Sequence, residues 1–227
     1  MNAVVFYSNT KQSESVAEYL AKELCYPIVD IEKIADIHYK NLILVFPVHC
    51  QNIPDTVKAF LERISVENLT VIATYGKMCP GNVLYEIQNR YHKNIVAGVY
   101  VPTKHSYIEN DDAFCDFAKL NAVVQKVKAP SHIQLPKLYK NPLAYVLPKL
   151  RSRLGLKIRR LSDCNGCNVC AEKCSLGAIR SGMTNSKCIR CAKCVTACPR
   201  GALKLKLSLP LKLYLHKKKT DKIIIYT

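Results

Sequence analysis

Eight of the chain's twelve cysteines lie between residues 164 and 198, and their spacing is the clearest sign of chemistry in the sequence. They form two copies of the pattern C-x2-C-x2-C-x3-C: Cys164, Cys167, Cys170 and Cys174 in the first copy, and Cys188, Cys191, Cys194 and Cys198 in the second. Thiolates two residues apart around a tight turn can reach three irons of one cubane cluster, while the fourth cysteine begins a helical stretch that crosses to the other cluster. The spacing therefore predicts two [4Fe–4S] clusters.

Each cluster is expected to take ligands from both copies of the pattern. The predicted ligands are Cys164, Cys167, Cys170 and Cys198 for one cluster, and Cys188, Cys191, Cys194 and Cys174 for the other. Zinc is the alternative, but zinc sites use pairs of C-x2-C separated by a long loop rather than triplets with a crossing fourth ligand. A disulfide framework is not expected, because the N-terminus lacks the basic start and cleavage site of a secretory signal.

The net charge, like the cysteine content, differs between the first and the second part of the chain. Residues 1–130 hold 13 Lys and Arg and 14 Asp and Glu, a net charge of −1, whereas residues 131–227 hold 21 and 3, a net charge of +18. A neutral first part and a strongly basic second part indicate two pieces with different functions.

The first 130 residues alternate between apolar runs and helical patterns. The runs predicted to be strands are Val4–Tyr7, Tyr26–Ile31, Leu42–Val48, Val71–Thr74 and Ile95–Val101, of which the last three are expected to be buried. Apolar residues at helical spacing lie between them and after the last, and Cys25 and Cys115 fall in such patterns as predicted core residues. Right-handed crossovers then produce an α/β fold with a doubly wound, five-stranded parallel sheet covered by helices on both faces.

Three loops are expected at the carboxyl edge of this sheet, where doubly wound folds bind ligands. They comprise residues 8–13, 47–54 and 74–81. The first loop is rich in hydroxyls and directly precedes a helix, so its backbone N–H groups and the helix dipole favour a phosphate. The alternative is that these polar residues only cap the helix.

Together the three loops resemble those of flavodoxin. The residues that carry the resemblance are Ser8, Asn9, Thr10, Lys11, Gln12 and Ser13 in the first loop, Pro47, Val48, His49 and Cys50 in the second, and Thr74, Tyr75, Gly76 and Lys77 in the third. The resemblance implies FMN, with its phosphate on the first loop and its ring between the other two. Lys11 stands where flavodoxins usually have glycine, and residues 49–52 replace their usual aromatic-glycine stretch.

The repeated cysteine pattern is that of bacterial two-cluster ferredoxins, with Ser175 in place of the proline expected after Cys174. A flavodoxin-like domain followed by such a ferredoxin resembles the flavodoxin–ferredoxin fusion family, whose members work in anaerobic metabolism. The resemblance implies an electron-transfer protein that converts between two-electron and one-electron steps and exchanges electrons with an external redox partner. Two alternatives stay open: an iron–sulfur flavin oxidoreductase that reduces a small molecule, and a ferredoxin whose flavodoxin-like domain has lost FMN.

The predicted domains are an FMN-binding domain at 1–130, a basic linker at 131–159, a small α+β ferredoxin domain at 160–205 and a basic tail at 206–227. Leu143, Val146, Leu147 and Leu150 are expected to share a helical face. Leucine at every odd position from Leu203 to Leu215 predicts an extended strand with one apolar face. That face either packs on the protein's own core or contacts a membrane surface.

The positive charge indicates an acidic redox protein as partner, or an anionic membrane surface contacted with the help of Lys217, Lys218 and Lys219. Nucleic acid is disfavoured, because aromatic residues make up only 8% of the chain and no recognition motif is present. With no apolar run long enough to span a bilayer, the expected location is the cytoplasm, with peripheral membrane attachment as the alternative.

Overall fold

The computed structural model describes residues 1–35, 37–108, 111–146, 148–216 and 220–227. The chain divides into two units. The first contains Met1–His105, Asn110–Ala144 and Lys219–Thr227, and the second contains Ser106–Glu109 and Tyr145–Lys218. The residues predicted as a linker, 131–159, are thus shared between the units, and the residues predicted as a tail, 206–227, are shared as well.

A mostly parallel sheet forms the centre of the first unit. Its strands are β1 (Asn2–Phe6), β2 (Ile28–Asp30), β3 (His38–Pro47), β4 (Ser65–Tyr75) and β5 (Ile95–Pro102), which pair in the order β5-β4-β3-β1-β2 with every pairing parallel. A sixth strand, Ile224–Tyr226, pairs antiparallel with β5 at the sheet edge. The sequence predicted only the five parallel strands, because the last strand comes from the segment interpreted as a tail.

Helices cover both faces of this sheet. They are α1 (Gln12–Leu24), α2 (Asp55–Arg63), α3 (Val83–Tyr91) and α4 (Asn121–Lys128). Residues of α1 and α4 pack on the face that carries Val4, whereas residues of α2 and α3 pack on the face that carries Val5. Successive strand residues enter opposite cores, which is why the strands read as continuous apolar runs. The predicted α/β architecture is therefore observed.

Two cysteines predicted to fill the core are instead exposed, Cys25 and Cys115. Cys25 follows the last residue of α1 and has a left-handed conformation (φ 54°), so it ends the helix rather than continuing its buried face. Cys115 lies before the short 3-10 helix Phe117–Leu120 that precedes α4. Helical periodicity alone did not show where each helix begins and ends.

The second unit is small and built around a two-stranded ribbon. Its elements are α5 (Pro148–Gly155), β6 (Leu156–Arg160), α6 (Val169–Glu172), β7 (Ile179–Arg180), β8 (Met183–Thr184), α7 (Lys193–Thr196), β9 (Leu203–Leu207) and α8 (Leu209–Leu215), and the strand at the end of the chain is accordingly β10. Strands β6 and β9 pair antiparallel to form the ribbon, and β7 and β8 form a hairpin.

The prediction of one extended strand from Leu203 to Leu215 is wrong in its second half. The strand ends at Leu207 and α8 begins at Leu209. Pro210 lies in the first turn of α8, where the missing N–H costs nothing and the fixed φ favours a helix. Lys217, Lys218 and Lys219 lie outside the described residues.

The predicted helical face of the linker is not continuous either. Leu143 belongs to a short 3-10 helix, Pro142–Ala144, and α5 begins only at Pro148. The side chains of Leu143, Val146 and Leu150 are exposed, and Leu147 lies outside the described residues. A proline restricts the residue before it to extended conformations, so a single helix through this stretch is disfavoured.

Candidate redox site

The two cysteine loops of the second unit have the same backbone conformation. Corresponding positions in the two copies adopt left-handed φ angles: Gly166 (75°) and Arg190 (63°), Asn168 (61°) and Ala192 (66°), and Gly177 (56°) and Gly201 (60°). Alternation of left-handed and ordinary residues turns successive N–H groups toward one side of the chain, a geometry that binds anions and iron–sulfur clusters. The internal sequence repeat is therefore also a structural repeat.

Each cysteine loop leads into a single helical turn that is capped in the same way. The N–H of Ala171 donates to the carbonyl oxygen of Asn168 (2.8 Å) in the first copy, and the N–H of Val195 donates to that of Ala192 (2.9 Å) in the second. Arg190 and Ala192 adopt the left-handed conformation without being glycine, which costs about 1–2 kcal/mol for each residue. Non-glycine residues with a left-handed backbone conformation commonly mark functional sites.

The first predicted ligand set lines one cavity. It is small and partly open to solvent, and its wall includes the four predicted ligands Cys164, Cys167, Cys170 and Cys198. Cys198 belongs to the second copy of the pattern, so the loop of one copy and the helix end of the other meet at this cavity. Leu203 and Ala202 contribute an apolar wall. The donor set of four thiols around one cavity fits a cubane cluster.

Cys194 and Cys174 of the second predicted set lie in one apolar cluster, together with Cys170 and Cys198 of the first set. Burial, followed by the charges of Cys191, Cys188, Cys174 and Cys170, raises the pKa of the Cys194 thiol to about 12. Burial likewise raises the pKa of Cys191, with Cys188 and Cys174 again among the neighbouring charges. The N–H of Ala178 donates to Cys174 Sγ (3.3 Å), a contact of the kind that tunes the potential of a cluster.

The cysteines surround a small apolar core. Cys170, Cys194, Ile179 and Leu203 are buried together, and Ile158 packs against them. Within the described residues, no group of three or more His, Cys, Asp and Glu side chains is arranged to hold a single metal ion.

The first loop of the other unit follows β1 and ends where α1 begins. Ser8 Oγ is buried and has no hydrogen-bond partner among the described residues. Lys11 precedes α1 in the left-handed conformation (φ 63°), a conformation that glycine adopts more easily than other residues. An unsatisfied hydroxyl, a cation and a helix N-terminus lie together here, so this loop fits a phosphate group.

Hydrogen bonds between side chains join the first loop to the other two. Asn9 Nδ2 lies 3.1 Å from His49 Nε2 of the second loop, and Ser13 Oγ lies 2.8 Å from Thr74 Oγ1 of the third. All three loops thus meet at one edge of the sheet, as the sequence predicted. Ser13 and Thr74 are buried and satisfy each other, which leaves Ser8 and Thr10 as the hydroxyl donors of the first loop.

The second loop is a tight turn built from residues that rarely adopt its conformation. His49 and Asn52 exchange backbone hydrogen bonds (3.0 and 2.8 Å), and the intervening Cys50 and Gln51 both have positive φ (50° and 65°). Such a turn normally contains Asn-Gly. Burial lowers the pKa of His49 to about 4, a shift that the charge of Asp55 only partly opposes. His49 is therefore neutral at pH 7, and its Nε2 accepts the hydrogen bond that Asn9 Nδ2 donates.

The third loop is held by residues that the sequence patterns did not single out. Lys77 Nζ forms ion pairs with Asp111 (3.2 Å) and Asp221 (3.3 Å), and the Lys77 carbonyl oxygen accepts from the N–H of Thr220 (2.6 Å). Gly76 lies so close to His105 that an added Cβ would be 2.5 Å from the ring. No short motif links positions this far apart, so only the fold reveals them.

The end of the chain also contacts the third loop through Tyr75. Its hydroxyl is directed at the carbonyl oxygens of Thr220 (3.2 Å) and Lys222 (2.8 Å). Burial is the main reason why the pKa of Tyr75 is raised to about 12, and the charge of Asp221 adds to it. The protonated hydroxyl is the form that donates these bonds.

Comparison with known proteins identifies the cysteine region. A family model described as a 4Fe-4S binding domain matches residues 184–204. The structure of Trp repressor binding protein from Bacillus subtilis is similar to the chain at 16% identity, covering 56% of this chain and 94% of that chain with a TM-score of 0.35. No curated protein matches the chain. Among the described residues no helix has the length and apolar character needed to cross a membrane. The chain thus contains a ferredoxin-type iron–sulfur region that holds at least one [4Fe–4S] cluster and serves electron transfer.

Proposed function

We propose that this chain is a cytoplasmic electron-transfer protein in which two [4Fe–4S] clusters and one FMN exchange electrons with an external redox protein in anaerobic metabolism. The observation that carries the proposal is the position of Cys198. It lines the same cavity as Cys164, Cys167 and Cys170, although it belongs to the other copy of the cysteine pattern. That crossing is the ligand arrangement of a two-cluster ferredoxin.

In this proposal the second unit holds the clusters and keeps them apart from water. The two ligand sets supply four thiolates each, and the apolar core of Ile158, Ile179 and Leu203 lowers the local polarity. Backbone N–H groups such as that of Ala178 stabilise the negative charge on the sulfurs. Hydrogen bonding and burial are the means by which a protein sets the reduction potential of a cluster.

The first unit is proposed to hold FMN through its phosphate. Ser8 and Thr10 donate hydroxyl hydrogen bonds, Lys11 supplies a positive charge, and the N-terminus of α1 contributes its dipole. The flavin supplies chemistry that accepts two electrons and releases them one at a time. The second and third loops, joined to the first by the Asn9–His49 and Ser13–Thr74 contacts, are the proposed ring-binding residues.

The proposed partner is an acidic redox protein. Residues 131–227 have a net charge of +18, and a cubane cluster with four thiolates carries about −2, so two clusters leave this part strongly positive. A field of that sign steers acidic partners toward the protein and raises the association rate.

Chemical analysis of the full chain, purified without oxygen, tests the proposal. We expect about eight iron and eight sulfide per chain from two cubes, together with one FMN. Zinc, or iron for one cube only after full reconstitution, would refute the two-cluster proposal. Eight iron without any binding of added FMN would favour the alternative of a ferredoxin that has lost its flavin. A small molecule reduced at the flavin in the absence of any protein partner would favour the oxidoreductase.

A further inference from the structure

One face of the β6–β9 ribbon consists of cations. Lys157 lies opposite Lys206, and Arg159 lies opposite Lys204. All four side chains are exposed, and in the described part of the chain no carboxylate forms an ion pair with them. Like charges directly opposite each other destabilise a strand pair. The arrangement therefore lowers the stability of the ribbon unless an anionic partner compensates for it.

The other face of the ribbon packs on the cluster region. Ile158 and Leu203 lie on it, against the buried Cys170 and Cys194. Alternate residues of a strand point to opposite faces, so the cationic face is turned away from this core. The cations are consequently separated from the cysteines by the thickness of one ribbon.

Two short helices extend from one end of the ribbon. Helix α5 leads into β6 and α8 follows β9, and because Leu156 pairs with Leu207 both helices lie at the same end. Their ends are in contact, since a Cβ on Gly155 would lie 3.2 Å from Leu211 Cδ2. The N–H of Ser208 also donates to the carbonyl oxygen of Gly155 (2.8 Å).

Each of these helices exposes two leucines one turn apart. Leu150 (46% exposed) and Leu154 (69%) share a face of α5, and Leu209 (68%) and Leu213 (62%) share a face of α8. Scattered exposed leucines are ordinary, but two matched pairs at one end of one ribbon concentrate exposed apolar side chains in that part of the unit. Residues 148–160 and 203–216 carry nine Lys and Arg and no Asp or Glu.

We propose that the cationic face of the ribbon together with these two leucine pairs, here called the leucine–cation surface, docks the protein onto an anionic lipid bilayer. Leucines would enter the interface between headgroups and acyl chains, while Lys and Arg contact the anionic headgroups. This inference does not depend on the proposed FMN or on the number of clusters.

The cations suit any anionic partner, and the exposed leucines favour lipid among them. A nucleic acid, or an acidic protein surface without apolar residues, would account for the cations but would leave four exposed leucines without a role. Nucleic-acid surfaces of this kind use aromatic residues for stacking, whereas the exposed apolar side chains of α5 and α8 are chiefly leucine. Cations beside aliphatic residues are the composition expected at a membrane surface.

Docking at this surface would bring a cysteine loop close to the membrane. Ser152 Oγ of α5 donates to the carbonyl oxygen of Ile189 (3.2 Å), and Arg153 Nε donates to that of Cys188 (3.5 Å). The helix that carries Leu150 and Leu154 therefore supports the backbone of the second cysteine loop. A redox partner resident in the membrane would then meet this loop.

Vesicle flotation of the full, cluster-loaded chain tests the proposal. The probes are vesicles of phosphatidylcholine alone and vesicles in which about one third is phosphatidylglycerol. We expect binding to the anionic vesicles only, weakened by salt. Replacing Lys157, Arg159, Lys204 and Lys206 with Gln should weaken binding about fivefold for each cation. Replacing Leu150, Leu154, Leu209 and Leu213 with Ser should weaken it by about 100-fold or more.

Matched controls lie in the first unit. Exposed Lys22, Lys33, Lys40 and Lys128 are changed to Gln for the charges, and Ile28 and Ile37 are changed to Ser for the apolar residues. These controls should bind like the unmodified chain. Unchanged iron content in the test variants shows that the unit still folds. Hydrogen exchange of the unmodified chain provides a readout without variants, since vesicles should protect residues 148–155 and 209–215.

Three results would overturn the proposal. The first is no binding of the unmodified chain to anionic vesicles at low salt. The second is unchanged binding by the leucine variant, which would leave a purely Coulombic patch suited to an acidic protein. The third is tighter binding to a fluorescent single-stranded oligonucleotide than to vesicles, lost in the charge variant and kept in the leucine variant, which would assign the surface to nucleic acid.

Discussion

At the scale of single residues, backbone strain is concentrated in the loops that the sequence marked for chemistry. Lys11, Cys50, Gln51 and Lys77 in the three loops proposed to bind FMN, and Asn168, Arg190 and Ala192 in the cysteine loops, have positive φ without being glycine. The other such residues have structural reasons: Cys25 and His92 end helices, and Ser181 lies in the turn between β7 and β8. Strain held at a binding loop favours preorganisation of that loop over stability of the fold.

Ser8→Ala should change stability and FMN binding in opposite directions. Without FMN, removal of the buried, unpartnered hydroxyl should leave the unfolding free energy unchanged or raise it, because an unsatisfied buried group costs about 1–3 kcal/mol. FMN affinity should fall, because a hydrogen bond to a charged phosphate contributes about 1.5–3 kcal/mol. Urea unfolding and calorimetric titration with FMN measure the two effects.

Ser65→Ala is the matched control. Ser65 is exposed at the start of β4, at the end of the strand away from the three loops, so its replacement should change neither stability nor FMN affinity. A Ser8→Ala protein that binds FMN as tightly as the unmodified chain would remove Ser8 from the proposed phosphate site. Loss of stability without FMN would show that the hydroxyl has a structural partner.

Cys198→Ala should damage the cluster of the other cysteine copy. Cys198 lines the cavity of Cys164, Cys167 and Cys170. The electron paramagnetic resonance spectrum of the Cys198→Ala protein should therefore match that of Cys167→Ala and differ from that of Cys191→Ala. Cys174→Ala should behave in the converse way, and each variant should lose about four of eight irons. Exposed Cys115→Ala is the control and should keep all of them. Spectra that pair Cys198→Ala with Cys191→Ala would contradict the crossed ligand sets.

At the scale of elements, periodicity in the sequence predicted the strands and helices of the first unit. It did not predict where the strand ends and the helix begins within residues 203–215. Continuous apolar runs identified β1, β3, β4 and β5, since strands buried on both faces have no polar side, whereas β2 is an edge strand whose residues are exposed or half-buried. The alternating leucines from Leu203 to Leu215 predicted one strand, yet Pro210 begins a helix there. Alternation and helical spacing both place leucines at positions 209 and 213, so the pattern could not distinguish the two structures in so short a segment.

The candidate site was predictable where its residues are close in sequence and not where they are distant. The cysteine spacing defines a local turn, so its ligands could be assigned before the fold was known. Asp221, which pairs with Lys77, is brought to the third loop by the return of the chain as β10, and Asp111, its other partner, by the segment that follows β5. A contact between residues as distant as Lys77 and Asp221 depends on the pairing of an edge strand, and such pairing is only weakly specified by the sequence.

Tyr75→Phe should destabilise the first unit by releasing the end of the chain from the third loop. The Tyr75 hydroxyl donates toward the carbonyl oxygens of Thr220 and Lys222, so its loss should cost about 0.5–1.5 kcal/mol, the net contribution of a hydrogen bond whose acceptors remain accessible to water. Urea unfolding measures the change, and hydrogen exchange should show faster opening of residues 224–226. Tyr139→Phe, at a largely exposed tyrosine, is the control. Unchanged exchange in the last strand would contradict a role for this contact.

At the scale of the whole molecule, the asymmetry of charge predicts salt-dependent electron transfer. The field of residues 131–227 should accelerate encounter with an acidic carrier at low salt. The rate constant should fall steeply as the screening length shortens from about 30 Å at 0.01 M to about 8 Å at 0.15 M salt. Stopped-flow transfer to an acidic ferredoxin measures it, with a basic cytochrome as the control. A rate that does not change with salt would rule out electrostatic steering.

The proposal that FMN and two clusters work in one chain is tested most directly by counting electrons. In a coulometric titration without oxygen, the purified full chain should take up about four electrons, two into FMN and one into each cluster. Visible spectra recorded at each step should show bleaching of both the flavin and the iron–sulfur bands. Uptake of about two electrons with no flavin band would mean that the clusters work alone. Uptake of about three, with the flavin band present, would mean that only one cluster is held, and either result would contradict the account.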